Sequence, residues 1–337
     1  MTAKRRLVAA VLLTLGPCTG LANAQAPRRG PIEWHEEWLL AQPRLTLPAT
    51  SPDLLVDGKT RVRLDVDWGN DFGVGQEVPG TSSADHVFLV DGEHHTLTLS
   101  LRHGLTPNLE IGIRLPVRER GGGVLDGVIE WYHGIGFPNN GRETFPQDQV
   151  RVEGRREDFL PIEWAGASGT GIGKLELDVR RGIVESSSMA GWRVSAVGRL
   201  ALPTGTGTFS GGGLEFGAQL VAAHPLGKHF DLFLGAGATH SATTEYQGLV
   251  YEANRAHGFA TVEWRLGHAW SFLVQVDAAG RHVLEILDYP GIHAYLRVGT
   301  KRQLGERWEL EAGFGENIKH QQATTDFSVG FGLTRTF

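Results

Sequence analysis

Arg61-Val62-Arg63-Leu64-Asp65-Val66-Asp67-Trp68 places an apolar residue at every even position and a full charge at every odd one. A period of two is the repeat of a β-strand, whose successive side chains point to opposite faces. One face of this strand is wholly greasy and the other wholly ionic. Which of them faces the inside of the fold decides what kind of molecule this is, and the rest of the chain answers that question.

The alternation recurs downstream. It continues through Leu97, Leu99 and Leu101, extended upstream to Val87, and through Leu109, Ile111, Ile113, Leu115 and Val117. Leu175, Leu177 and Val179 follow an irregular segment of about 118–170. Further strands read Trp192 to Leu202, Leu214 to Ala222, Phe230 to Ala238, Ala256 to Leu266, Trp270 to Ala278, Ile292 to Thr300, Trp308 to Phe314 and Phe327 to Phe337. The spacing therefore predicts an all-β fold of twelve antiparallel strands. Short links follow the even strands (Gly104 to Pro107, His224 to Lys228, Gly267-His268, Lys301 to Glu306, and a longer one at 181–191), and long links follow the odd ones. Sorting of this kind, with an even strand count, is the plan of a transmembrane β-barrel with short periplasmic turns and longer extracellular loops. A soluble sandwich has no reason to adopt it.

Composition agrees. The chain has 46 glycines, two methionines and one cysteine, and its net charge is −6. An acidic balance without a basic stripe argues against nucleic acid as a partner. No stretch after the first residues approaches the roughly 18 apolar residues of a membrane helix. Lys4, Arg5 and Arg6, the run Leu7 to Leu15, and Ala22-Asn23-Ala24 form a secretory signal, residues 1–24, with cleavage expected after Ala24. Pro17 spoils the lipoprotein-like Leu15-Gly16-Pro17-Cys18, and cleavage discards Cys18. Residues 25–59, proline-rich with Trp34, Trp38, Leu39 and Leu40, are expected to be a periplasmic leader, latch or plug, and 60–337 the barrel.

Height along the strands adds a second test. Trp192, Phe230, Trp270 and Trp308 open rising strands, while Trp264 and Phe337 lie near the ends of falling ones, so all six sit at the short-turn end on the apolar face. An amphipathic ring is stable at a lipid–water boundary, and a belt of rings at one height marks a membrane interface. Outer-membrane barrels resemble one another in ending on a strand with a terminal aromatic that the barrel-assembly machinery reads. Phe337, preceded at alternate positions by Leu333, Phe331, Val329 and Phe327, is similar, with Arg335 as a departure. The expected partners are thus outer-membrane lipid and that machinery, in the envelope of a Gram-negative cell.

With the apolar face on lipid, the lumen is expected to be lined by Arg61, Arg63, Asp65, Asp67, Glu110, Arg114, Lys174, Glu176, Asp178, Arg180, Arg193, Arg199, Glu215, Glu263, Arg265, Asp277, Arg297, Glu309 and Glu311. Charges away from bulk water must be paired or solvated, so the mixed signs favour a largely occluded lumen. In the loop 121–149, Asp126, His133, Asn139, Asn140 and Arg142 are candidates for a plug or constriction, against the plainer reading that the loop closes the outer mouth.

This loop also carries a family likeness. Val90-Asp91-Gly92-Glu93, Gly121-Gly122-Gly123-Val124-Leu125-Asp126-Gly127, His133 and Phe137-Pro138-Asn139-Asn140-Gly141-Arg142-Glu143 resemble the outer-membrane proteins grouped as domain of unknown function 3187, as does Gly171-Ile172-Gly173. The resemblance implies a barrel and an envelope location, and brings no catalytic residues with it.

Signals of catalysis fall short. Gly169-Thr170-Gly171-Ile172-Gly173-Lys174 lacks the first glycine of a phosphate loop, and Leu175 stands where a serine or threonine should be. His35-Glu36-Glu37 has no second histidine at zinc-protease spacing. The expectation is a channel, transport or structural envelope protein without a cofactor. The alternative is a lipid-modifying enzyme with a histidine and serine or a metal at the rim. There His240 and Ser241 are adjacent, and His257, His282, His293 and His320 are scattered.

Overall fold

The computed structural model describes residues 28–34, 38–75, 88–123, 125–134, 146–155, 161–163, 168–184, 191–209, 211–286, 291–318 and 324–337. The expected signal segment, His320, and the loop candidates Asn139, Asn140 and Arg142 lie outside them.

Twelve long strands form the wall: β1 Thr60–Val74, β2 Phe88–Thr106, β3 Leu109–Gly121, β4 Leu175–Val184, β5 Arg193–Leu202, β6 Glu215–Pro225, β7 Phe230–Ser241, β8 Asn254–Leu266, β9 Trp270–Gly280, β10 Ile292–Leu304, β11 Trp308–Asn317 and β12 Thr325–Thr336. Each pairs antiparallel with its sequence neighbours, and β1 pairs with β12 from Arg61↔Thr336 to Asp71↔Thr325, which closes the barrel. Closure leaves the wall no unpaired edge, the condition for a sheet to cross hydrocarbon. At its upper end β3 pairs instead with the short strand Gly169–Ile172. Between the two partners Pro116 has no N–H to give the ladder, and Gly173 N donates to its carbonyl oxygen at 2.8 Å. Among the described residues no helix is long and apolar enough to span a membrane; the single α-helix, α1, is Asp126–His133.

The faces are inverted relative to a soluble protein. Leu99, Val179, Phe216, Leu220, Val274 and Phe331 are each more than half exposed, while Asp67, Glu110, Asp231 and Glu263 are fully buried. The six expected interface aromatics, Trp192, Phe230, Trp264, Trp270, Trp308 and Phe337, all lie on the outer surface. Phe230 and Trp264 stack at 6.0 Å. Arg335, which breaks the terminal pattern, places its guanidinium over the Trp308 ring at 5.0 Å and over Phe337 at 4.4 Å.

The interior is filled by the leader. Its described residues rise from the turn end at Arg28, bend at Trp38–Arg44 near the loop end, and descend to β1. Ala41 N and Gln42 N donate to Trp38 O at 2.7 and 3.1 Å, which fixes the bend. All of residues 38–50 are buried. The bend carries Trp38, Leu39, Leu40 and Ala41 into an apolar cluster with Phe88, Val90, Leu249, Tyr251, Val283 and Ile286 under the long loops. These residues account for the apolar run that the sequence set inside the leader: they form a small hydrophobic core at the outer mouth. On the descending limb Ala49 packs against inward-facing Val197, Val221, Phe233 and Phe259.

Candidate functional site

The wall residues expected to line the lumen lie on the inner face, where all are buried except the half-buried Arg61, Arg193, Asp277 and Glu309. Their register brings opposite charges side by side. Arg63 bridges Asp65 and Glu311 (2.9 Å to the latter), and Lys301 meets the other Glu311 oxygen at 2.9 Å. Arg199 holds Asp178 at 2.5 Å and Glu176 at 3.5 Å, with Arg114 4.0 Å from Glu176. Arg180 pairs with Glu110 at 2.9 Å, Lys174 with Glu215 at 3.2 Å, Arg265 with Asp231 at 2.7 Å, and Arg297 with Asp277 at 2.9 Å. Mutual pairing is what allows so many ions to leave bulk water.

The leader completes this lattice. It adds Arg28 to Asp231, Arg44 to Glu215 at 3.2 Å, and Glu33 to Arg102. Asp53 pairs with Arg193, and Arg29 lies 3.9 Å from Glu309. Its irregular backbone has no strand partner, so wall side chains satisfy it instead. Glu263 accepts from Arg29 N at 3.0 Å and Gly30 N at 3.2 Å, Asp71 from Leu39 N at 2.9 Å, and Glu110 from Leu55 N at 2.9 Å. Gln219 donates to Pro48 O at 3.2 Å and Ser195 to Pro52 O at 2.5 Å, while Lys301 donates to Arg29 O and Pro31 O at 3.1 and 2.6 Å.

Shape complements chemistry. Gly299, Gly313 and Gly330 are cross-strand neighbours on β10, β11 and β12, and Asp67 of β1 follows in the same row. A Cβ on Gly299 would stand 2.8 Å from Ile32, and one on Gly313 2.9 Å from the Trp34 ring; at Gly330 it would overlap that ring. Three glycines at one height thus make a hollow that holds Ile32 and Trp34, with the Arg297 guanidinium 5.2 Å from the Trp34 ring centroid. A small void of about 30 Å³ remains between Trp34, Leu47, His257, Asp277, Tyr295 and Arg297, room for a water molecule or two.

The loop end is closed by other contacts. Asp126, at the start of α1, accepts from Asn70 Nδ2 at 3.1 Å and Asp148 N at 2.6 Å, tying the loop after β3 to the rim of β1. His133 ends the same helix. Beside the apolar cluster, buried His282 and His293 meet edge to face at 4.5 Å, and Arg255 donates to His282 Nε2 at 3.1 Å. Burial, then Arg255 and Arg44, push the His282 imidazole well below its ordinary pKa, so it is neutral. Burial raises the Tyr251 hydroxyl despite Arg44 and Arg120.

His240 and Ser241, weighed as an enzymatic pair, point to opposite faces of β7. His240 Nδ1 contacts Asn254 Oδ1 at 2.8 Å, whereas Ser241 Oγ donates inward to Glu215 at 2.9 Å. Neighbours in a strand diverge, and these two do not meet. Among the described residues no group of three metal-ligating side chains gathers.

Glu33, Arg102, Lys301, Asp231, Gln275 and the glycine row escaped the sequence reading. The wall members of this set lie at positions that alternate with the outward residues of their own strands, so the period that found the other lining residues also marks them. Nothing local in the sequence ties residues 28–59 to them.

No curated protein sequence matches the chain. An outer membrane channel from Pseudomonas putida F1 is similar in structure over 87% of this chain and 100% of that one, with a TM-score of 0.59 at 13% identity. NanC porin (TM-score 0.46, 8% identity, 81% of this chain and 98% of that one) and the Ralstonia pickettii toluene transporter TbuX (0.42, 10%, 85% and 92%) are more distant. At such identities the first likeness is one of fold, and the other two add nothing to it. The sequence from residue 10 to residue 337 matches the family described as protein of unknown function DUF3187, and the chain belongs to that family.

Proposed function

We propose that this protein is an outer-membrane channel for small solutes whose lumen is closed, in the state described, by its own residues 28–59. The observation that carries the reading is the kind of bonding between leader and wall. The leader is held by side-chain hydrogen bonds, ion pairs and a glycine hollow and, among the described residues, by no strand pairing that would make it part of the sheet. A wall lined with paired charges beneath a removable filling is the construction of a gated aqueous path. Residues 1–24 act as the export signal, the short turns face the periplasm, and the strand ending at Phe337 is the segment read by the assembly machinery.

The test is single-channel conductance in planar bilayers of the full chain beside a variant with residues 28–52 excised, each shown to be folded by its heat-dependent shift on a gel. Discrete steps that are rare in the full chain and frequent in the variant are expected. Two folded proteins that both fail to conduct would remove the channel reading and leave a structural barrel.

A further inference from the structure

Glu33 and Trp34 present two different chemistries to the wall at one place. The Trp34 ring lies in the hollow of Gly313 and Gly330, in an apolar cluster with Ile32 and Leu273. The Glu33 carboxylate is paired with Arg102, and Arg63, Lys301 and Arg61 are close enough to act on it electrostatically. Arg63 itself lies against Gly332, where a Cβ would stand 2.6 Å from its guanidinium nitrogen. Gly330 and Gly332 are two residues apart on β12, about 7 Å along a strand. An aromatic seat and a guanidinium seat therefore adjoin on one stretch of wall.

Without the leader Arg63 would keep Asp65 and Glu311, and the unmet demand would fall on the Trp34 hollow, Arg102 and Lys301, the last of which stands in the cross-strand row of Glu311 and Gly332. Arg102 would keep Glu110, 3.8 Å away and already held by Arg180 at 2.9 Å, and the longer-range attraction of Asp178, itself held by Arg199. Lys301 would lose the carbonyl oxygens of Arg29 and Pro31 and share Glu311 with Arg63. The wall would show an excess of donors and positive charge beside an empty, glycine-floored slot. The indole is also an imperfect tenant, since its buried Nε1 donor has no hydrogen-bond partner among the described residues. A buried donor left without an acceptor costs free energy, so a purely hydrocarbon ring suits the slot better than the indole does.

We propose that the wall behind Glu33 and Trp34 is the solute site of the channel, that its ligand is a small aromatic carboxylate, and that the leader occupies the site as a tethered mimic of that ligand. The assignment rests on the reading of the barrel as a channel closed by residues 28–59, and names the solute class for it. A molecule that carries both a ring and a carboxylate meets both seats at once. An aliphatic carboxylate satisfies the cations and leaves the slot empty, and an uncharged aromatic does the reverse. While the mimic is seated, the competent fraction of the site is small and apparent affinity falls in proportion.

The experiment is calorimetric titration of the full-length protein in detergent with 3-phenylpropionate, and with propionate and benzyl alcohol as half-ligands. Wild type is compared with the double variant Glu33→Gln/Trp34→Ala, which leaves every wall residue in place. The double variant should bind 3-phenylpropionate about tenfold or more tightly than wild type, with no such gain for either half-ligand, and adding Arg102→Gln should abolish the gain. An unchanged affinity, or an equal gain for propionate, overturns the proposal. Should the double variant fail to fold, wild type supplies a second arm. Saturating 3-phenylpropionate should speed tryptic cleavage after Arg44 and propionate should not, and equal rates overturn the proposal. Both arms are read without a membrane. Binding without conductance would sink the channel reading and spare the site, and conductance without binding would do the opposite.

Discussion

Gln275 and Ile32 exchange two hydrogen bonds: Ile32 N donates to Gln275 Oε1 at 2.9 Å, and Gln275 Nε2 donates to Ile32 O at 3.1 Å. A side-chain amide here does for the leader what a neighbouring strand would do. Replacing it with leucine leaves a buried N–H and C=O without partners, at about 1–3 kcal/mol for each group. Gln275→Leu is expected to speed hydrogen exchange in residues 29–34 by tenfold or more, taking about 1.4 kcal/mol per decade, while amides of β9 and β10 keep their protection.

Gly330 accepts the Trp34 ring, and Asp67 Oδ1 lies 2.8 Å from where its Cβ would be. Gly330→Val should therefore unseat the leader and leave the outer wall untouched, because the added atoms point inward. Overpacking of this kind costs about 1–3 kcal/mol. Limited trypsinolysis should show faster cleavage after Arg44, and a rate equal to wild type would mean that the hollow does not position the segment.

Val274 is 51% exposed in the middle of β9 and faces outward. An arginine there meets hydrocarbon, and Val274→Arg should lower the unfolding free energy in lipid vesicles by about 2–4 kcal/mol, as lipid-facing charges near the midplane do. Urea titration followed by tryptophan fluorescence measures it. A neutral outcome would remove the assignment of this face to lipid.

The twelve strands and their faces were legible because fully charged residues alternate with aliphatic ones, as in Arg61 to Trp68, and a one-residue slip would put every ion into lipid. The aromatic belt followed from height and face together. The course of residues 28–59 was not legible, because their partners are single side chains scattered over many strands, from Asp71 for Leu39 to Glu263 for Arg29 and Gln275 for Ile32. The trace they leave in the sequence is indirect: glycines at inward positions of three consecutive strands, and inward Phe233 and Phe259 where the period calls for a polar residue. Trp38 to Ala41 were visible as an apolar run, but Phe88, Tyr251 and Ile286, which cover them, come from the start of β2 and from two separate connections and share no local pattern.

His282 gives the outer mouth a dependence on pH. Its folded pKa is held well below 6.5 by burial and by Arg255 and Arg44, so the unfolded state takes up a proton that the folded state refuses. The stability it contributes is complete above about pH 6.5, the unfolded value, and declines as pH falls toward the folded one. Hydrogen exchange in residues 245–251 and 281–286 should accelerate between pH 7.5 and pH 5. His282→Gln, which keeps an acceptor for Arg255, should flatten that response; an unaltered response would assign it to another group.

Residues 28 and 59 both stand at the turn end, so the filling is a bight of chain and not a thread. On the proposed reading, its withdrawal through one opening takes no terminus through the ring of strands. The row Gly299, Gly313, Gly330 and Asp67 that cradles it crosses from β12 to β1, the junction that closes the cylinder. The bight therefore lies across the seam like a key laid across a lock, at the one place where first strand meets last.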